Sequence, residues 1–441
     1  MKMASNSLSF RVFLQAIWMF SLSYVLKYFL NTYIAQHVPP SVFGDFSLAM
    51  SFMTMTAPFF ILGTNASLIK YFPKYIATKD HAQGSLYLRW NLRTVIKTFS
   101  ICIPIIVITG ITILLLDHWS VLSLSKYHLA VFFQLASPLI GLVTLGFLIL
   151  LSMRKIFLSN LSKMLIKYLL FIPLFFILFS AVDGNNISNF YLFTVIFFGT
   201  LLWLFTTLIL LFFSVGFEIR EYFNSNTPKN LASEKEWGRY SKLLLFNSSM
   251  FTLTGFLDLL IIEIIPYRDE HLVGYYAAIF TIIGMLSVPV LAIKQMLKPV
   301  LALKGNAKVQ QQSLNRANLL QLSLLIMLVL IVTLFAQTFL GHFGPAYVQY
   351  REALRISVIG NAIALAPSLC FFDPLYKGYA KVLLIENYFN IAMTIIFGSL
   401  AYYYFGLIGI IWAVVIIRVT LKFSLFIYVK TKTTLKYMYF L

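Results

Sequence analysis

Charge is scarce in this chain. Only 11% of its 441 residues are Asp, Glu, Lys or Arg, while 60% are hydrophobic. That is too little charge to clothe a water-soluble surface of ordinary size, so lipid must cover the rest. Acids are scarcest, 15 Asp plus Glu against 34 Lys plus Arg. Cysteine is nearly absent: Cys102 and Cys370 each lie in an apolar stretch, where a thiol packs as a small hydrophobe, and two cannot build a disulfide framework. No Cys/His spacing suggests a metal, and His37, His81, His118, His128, His271 and His342 read as solvated histidines near span ends. The chain also lacks a G-x-x-x-x-G-K-[ST] loop, an H-E-x-x-H helix and a G-x-S-x-G elbow. With loops too short for an ATPase domain, ATP-driven transport within this chain is not expected, no cofactor is implied beyond proton or sodium coupling, and a transporter is expected rather than an enzyme.

What the chain does have is apolar runs of membrane length. Taking about twenty residues per crossing, spans fall near 10–36, 46–69, 98–116, 129–151, 164–182 and 190–215. A second set falls near 242–264, 275–297, 318–340, 354–375, 384–404 and 409–429. The fold class is therefore an all-α integral membrane protein of roughly twelve helices, in two pseudo-symmetric six-helix bundles. The N-terminus starts polar and basic and runs apolar well past a signal h-region with no small-residue cleavage site, so its helix is expected to be retained.

The basic residues sort by side. Lys70, Lys74, Lys79, Arg89, Arg93, Arg154, Lys155, Lys163, Arg220, Lys229, Lys235, Arg239, Lys298, Lys304, Lys308, Arg316, Lys377, Lys381, Lys430, Lys432 and Lys436 fall on one side; Lys126, Arg268, Arg351 and Arg355 fall on the other. That asymmetry places both termini in the cytoplasm. It also leaves no soluble basic face for nucleic acid; Arg89 and Arg93 suit anionic lipid headgroups. The expected division is an N-terminal bundle over 1–216, a cytoplasmic hinge loop over 217–241 and a C-terminal bundle over 242–441. Within the hinge, Ser233 and Glu236 form an S-x-x-E capping box, predicting an amphipathic helix that leads into span seven.

The halves share a faint repeat. At an offset of about 230, Gly44 matches Gly274, Phe46 matches Tyr276, and Pro58 comes within a residue of Pro289. Six spans per half make these parallel repeats about an axis along the membrane normal.

Charge at bilayer depth costs at least about 2.5 kcal/mol, so each embedded polar residue should face a partner or a wet cavity. Span one carries Lys27, with Ser21, Tyr24, Tyr28 and Asn31 on nearly the same face. Span seven carries Asn247, Thr254 and Asp258 on one face and Glu263 near its outer end. Lys27 and Asp258 differ by almost the repeat offset, so both could line a central cavity between bundles; the alternatives are a buried structural pair or snorkelling to the interface. Span twelve carries Arg418 and Lys422 one turn apart with no acid nearby in sequence, a cationic wall suited to phosphate. The alternative is that Lys422 snorkels to headgroups and Arg418 binds backbone carbonyls. Asp373, before Pro374, reads as a helix end. Pro58, Pro104, Pro138, Pro173, Pro289 and Pro367 permit bends inside spans.

Three stretches carry a resemblance: "VPPSVFGDFSLAMSFMTMTAPFFILGTNASLIKYFP", "HLVGYYAAIFTIIGMLSVPV" and "ENYFNIAMTIIFGSLAYYYFGLIGIIWAVV" with Asn390, Gly406 and Gly409. Together they resemble the O-antigen and capsule-type polysaccharide flippases of the multidrug, oligosaccharidyl-lipid and polysaccharide exporter superfamily. The chain departs from that pattern in its sparse cavity charge and in "PPSVFGDF", which replaces a Leu-Gly-Pro run. The resemblance implies a V-shaped pair of bundles in a bacterial inner membrane. It also implies alternating-access movement of a polyprenyl-diphosphate-linked oligosaccharide to the outer leaflet, beside glycosyltransferases and a polymerase of the same pathway. On that reading Lys27, Arg418 and Lys422 are the diphosphate contacts and Tyr24 and Asn31 complete the substrate site. Tyr28 and Tyr275 are candidates to stack on sugar or prenyl chain, with packing the plainer role. Asp258 is the candidate proton or sodium site, or the partner of Lys27. The rivals are a drug or cation antiporter of the same superfamily, which should hold acids rather than bases in its cavity, and a membrane-embedded polymerase or acyltransferase, which should carry a large outer loop or a clustered His/Asp/Arg site. A peptidoglycan-precursor flippase should carry two further spans.

Overall fold

The computed structural model describes residues 2–119, 128–182, 187–224, 231–265, 269, 271–302, 307–371 and 380–432. Lys126, Lys229, Arg268, Lys304, Asp373, Pro374, Lys377 and Lys436, weighed above, lie outside these residues. Every regular element described is helical. Seven segments are long and apolar enough to cross a membrane unaided, and a bent pair makes an eighth. One of the seven, Val382–Thr431, runs 50 residues. Gly406, at φ 62° and ψ −147°, breaks it where spans eleven and twelve were expected to meet. Large apolar side chains lie bare along these helices, Phe213 at 81% and Phe217 at 87% exposure, as lipid-facing surface requires.

The remaining spans are interrupted, and the interruptions have local causes. Span two is Pro40–Phe60 followed by Thr64–Thr78, separated by Leu62 and Gly63 at φ 47° and 66°. Span four is His128–Gln134 and Ser137–Ser152, bent by 42° just before Pro138, which has no N–H to continue the ladder. Span eight is Leu272–Ile283, a 3₁₀ turn over Gly284–Leu286, and Ser287–Ala302, restarting around Pro289. Span ten, Arg351–Leu365, stops just short of Pro367. Span five, within Ile156–Ala181, carries a π-helical turn over Leu161–Ile166, and span eleven carries another over Thr394–Gly398.

Spans one, three and six are longer than expected, as Lys2–His37, His81–His118 and Asn189–Asn224. Asp80 caps the second of these, accepting from the Gln83 N–H at 3.0 Å. The second half of the hinge and span seven are one continuous helix, Leu231–Ile264. Ser233 therefore lies inside a helix already begun, and Glu236 accepts instead from the Tyr71 hydroxyl at 2.8 Å. The helix thus starts two residues ahead of Ser233, and the expected capping box does not open it.

Two compact units result, Met1–Gly44 with Thr254–Leu441, and Asp45–Leu253. Their bounds differ from the 1–216, 217–241 and 242–441 division read from the sequence. The first helix packs on Leu272–Ile283 and Ser287–Ala302, and so is part of the C-terminal unit. The first half of Leu231–Ile264 counts with Asp45–Leu253, because Trp237, 1% exposed, is packed among Tyr71, Tyr75, Tyr87 and Trp90.

In the first unit the repeat-matched glycines meet. A Cβ added to Gly44 would lie 2.7 Å from the Gly274 backbone nitrogen, and one on Gly274 would collide with the Pro40 carbonyl oxygen. Neither position has room for a side chain.

Candidate functional site

All six residues singled out for binding or coupling fall in the unit formed by Met1–Gly44 and Thr254–Leu441. The structure sorts them into two groups.

The first group is the polar face of span one. Helical spacing puts Tyr24, Tyr28 and Asn31 on one side, and each finds a partner across the packing. The Tyr24 hydroxyl reaches the Thr281 carbonyl at 2.7 Å and that of Ile282 at 3.1 Å. The Asn31 amide donates to the Thr281 hydroxyl at 3.0 Å. The Tyr28 hydroxyl donates to the Phe339 carbonyl at 2.9 Å and lies 2.9 Å from His342 Nδ1. These contacts fall at the end of Leu272–Ile283, where the chain turns 3₁₀, and on the short helix Ala336–Gly341. Lys27 is different. Half-buried, it has no ion pair or hydrogen bond among the described residues. Its Nζ lies over Gly284, 3.9 Å from where a Cβ there would sit.

The second group surrounds span twelve, and here the expectation of a bare cationic wall is corrected. Arg418 Nη2 lies 3.0 Å from Asp258 Oδ2, and Lys422 Nζ lies 2.8 Å from Glu386 Oε1. Asp258 is fully buried, and both its oxygens are engaged. Oδ1 accepts the Leu259 N–H at 3.1 Å, while Oδ2 also accepts the Tyr276 hydroxyl at 2.6 Å. Arg418 donates further to the Thr254 carbonyl at 3.1 Å and to Asn361 Oδ1 at 3.3 Å. Of the alternatives for Lys27 and Asp258, the buried pair is not formed: the partners of Asp258 are Tyr276 and Arg418, which reach it by packing rather than by repeat symmetry. An unpaired carboxylate with no exposure would cost several kcal/mol. The guanidinium removes that cost.

Sequence reasoning missed Glu386, Tyr276 and Asn361. Glu386 is 8% exposed and Asn390 5%. Their i, i+4 spacing in an apolar run was a readable sign of an inward polar face. Lys167 was also missed. It lies in the other unit with its Nζ 5.6 to 5.8 Å from the ring centroids of Tyr168, Phe171 and Trp203. The π turn just before it leaves the Ser162 carbonyl to accept from Trp203 Nε1 at 2.7 Å. Among the described residues no group of His, Cys, Asp and Glu could hold a metal ion.

The architecture is shared with known transporters. An inward-facing multidrug resistance MATE family transporter of the MOP superfamily superposes with a TM-score of 0.65 at 16% identity, over 96% of this chain and 97% of its own. The eukaryotic MATE transporter AtDTX14 gives 0.65 at 14% identity, over 98% of this chain and 96% of its own. A MOP superfamily transporter from Pyrococcus furiosus gives 0.62 at 16% identity, over 96% and 95%. No curated protein is significantly similar to the chain. Residues 13–303 match the family described as polysaccharide biosynthesis protein, and this multi-pass membrane chain, folded as the MATE and MOP-superfamily transporters are, belongs to that family.

Proposed function

We propose that the protein is a flippase for a polyprenyl-diphosphate-linked oligosaccharide, carrying a surface-glycan repeat unit from the inner to the outer leaflet of a bacterial inner membrane by alternating access, with both termini cytoplasmic. The observation that carries this reading is the Lys27 ammonium. Span twelve's cations are neutralised in place, whereas Lys27 stands among Tyr24, Tyr28 and Asn31 with no described acid to offset it. A buried cation without a counter-ion is costly. An anionic ligand removes that cost, and phosphate oxygens accept charge-assisted bonds from an ammonium. Tyr24, Tyr28 and Asn31, tied to backbone and to Thr281, fix the helix face that presents it. Family membership points to polysaccharide precursors as the cargo, with glycosyltransferases and a polymerase as pathway partners. A drug or cation antiporter would place acids, not a lone ammonium, in this position.

The test is reconstitution. Purified protein in proteoliposomes loaded with a lipid-linked oligosaccharide should expose the glycan to an external lectin faster than empty vesicles do. Efflux of a lipophilic cation with no movement of the glycan lipid would overturn the flippase in favour of the antiporter.

A further inference from the structure

The donor set around the Arg418 head is that of a hard-cation site. Its guanidinium nitrogens are met by a carboxylate oxygen of Asp258 at 3.0 Å, the main-chain carbonyl of Thr254 at 3.1 Å and the amide oxygen of Asn361 at 3.3 Å. One carboxylate, one carbonyl and one amide oxygen, converging from two helices, Leu231–Ile264 and Arg351–Leu365, are ligands of the kind that sodium or another hard ion takes. Asp258 itself has no exposure, and the phenol of Tyr276 at 2.6 Å and the Leu259 N–H at 3.1 Å hold its two oxygens in place. Arg418 side-chain exposure is 17%, so the head is withdrawn from bulk water although not sealed.

We infer that this is a monovalent-cation site permanently filled by the protein's own guanidinium. The charge that Asp258 demands is supplied by a tethered group, so the site takes up no mobile cation while Arg418 is present. Asp258 is then not an ion-coupling residue, whatever cargo the protein carries. Lys422 and Glu386, one helical turn on, repeat the device with an ammonium at 2.8 Å. Removing the Arg418 head should uncover a latent site of the same donors, open to a mobile cation. The inference stands apart from the flippase reading, because it concerns the electrostatics of one unit and is read without transport.

The experiment is thermal unfolding of the purified full-length protein in detergent, in sodium chloride, in choline chloride of equal ionic strength, and in choline chloride with low-millimolar guanidinium. Wild-type Tm should be the same in all three. Arg418→Ala should unfold at lower temperature in choline and recover by about 2–4 °C in sodium or guanidinium, as a ligand that binds only the folded state requires. The double variant Arg418→Ala, Asp258→Asn should show no cation-specific recovery. A wild-type protein stabilised by sodium over choline would overturn the inference, as would an Arg418→Ala protein indifferent to both cations. Should Arg418→Ala fail to fold, Arg418→Gln keeps most of the bulk and is tested in the same way. If neither single variant folds in choline, at least one must fold in sodium or guanidinium; a pair of variants that fold in none of the three solutions overturns the inference. Failure of the double variant as well would make Arg418 a packing residue and likewise overturn it.

Discussion

Lys422 Nζ and Glu386 Oε1 lie 2.8 Å apart, joining span twelve to span eleven one helical turn from the Arg418–Asp258 pair. Glu386 is 8% exposed. Breaking such a pair leaves a buried charge and costs about 3–5 kcal/mol, whereas replacing both partners by apolar side chains is often neutral. Lys422→Ala should therefore lower Tm markedly, and Lys422→Met with Glu386→Leu should restore most of it. Equal destabilisation by the single and double variants would mean that the two charges do not act as a pair.

Lys27 should behave in the opposite way. With no described partner to abandon, Lys27→Ala should leave protein abundance and Tm near those of wild type while surface glycan falls at least tenfold in a flippase-null host. Lys27→Arg should keep part of the export, since the positive charge remains. Immunoblotting of membranes beside glycan staining separates the two effects; normal export by Lys27→Ala would remove span one from the substrate site.

The contact between Gly44 and Gly274 tolerates no side chain. Gly274→Ala places a methyl group against the Pro40 carbonyl oxygen, backbone that cannot move aside without shifting a helix start. Overpacking of that kind costs about 1–3 kcal/mol or more. Gly274→Ala should thus reduce folded protein, measured by gel filtration in detergent, more than Gly255→Ala, whose added Cβ meets nothing within 4 Å.

Much of this fold was legible because hydrophobic runs and basic loops are local signals. The spans, the helix leading into span seven and the Gly44–Gly274 match all came from residues read in place or at one offset. The ion pairs were not legible. Asp258 and Arg418 are 160 residues apart in sequence and Glu386 and Lys422 36, and only packing decides which embedded acid meets which embedded base. Periodicity located each charge on a helix face and left its partner open. The same limit hid the placement of the first helix, since an apolar helix carries little information about which bundle it joins. Lys167 escaped for a similar reason: the rings of Phe171 and Trp203 that surround its ammonium are brought together by packing, Trp203 from another helix.

Trp237 fastens the start of Leu231–Ile264 to its unit. It is 1% exposed, with ring centroids 5.1 Å from Tyr87 and 5.5 Å from Trp90. Truncating a buried Trp costs about 3–5 kcal/mol. Trp237→Ala should make the 231–245 region much more sensitive to limited proteolysis, while Lys235→Ala, an exposed neighbour, should change nothing.

The sidedness proposed from the basic-loop asymmetry can be tested directly. A cysteine at Lys235 should resist a membrane-impermeant maleimide applied to intact cells, and one at Gln349 should react; both positions are exposed. Labelling of the first without the second would invert the topology.

The placement of the first helix bears on how the molecule is made. Met1–Gly44 leaves the ribosome ahead of Asp45–Leu253, yet the segments it packs against lie beyond Thr254. Throughout synthesis of Asp45–Leu253 that helix must reside in lipid with the polar edge of Tyr24, Lys27 and Asn31 unmet. A truncated chain ending before Thr254 would keep the helix and lose every partner described for that edge, so quality-control proteases should clear such products faster than chains cut between Arg418 and the C-terminus.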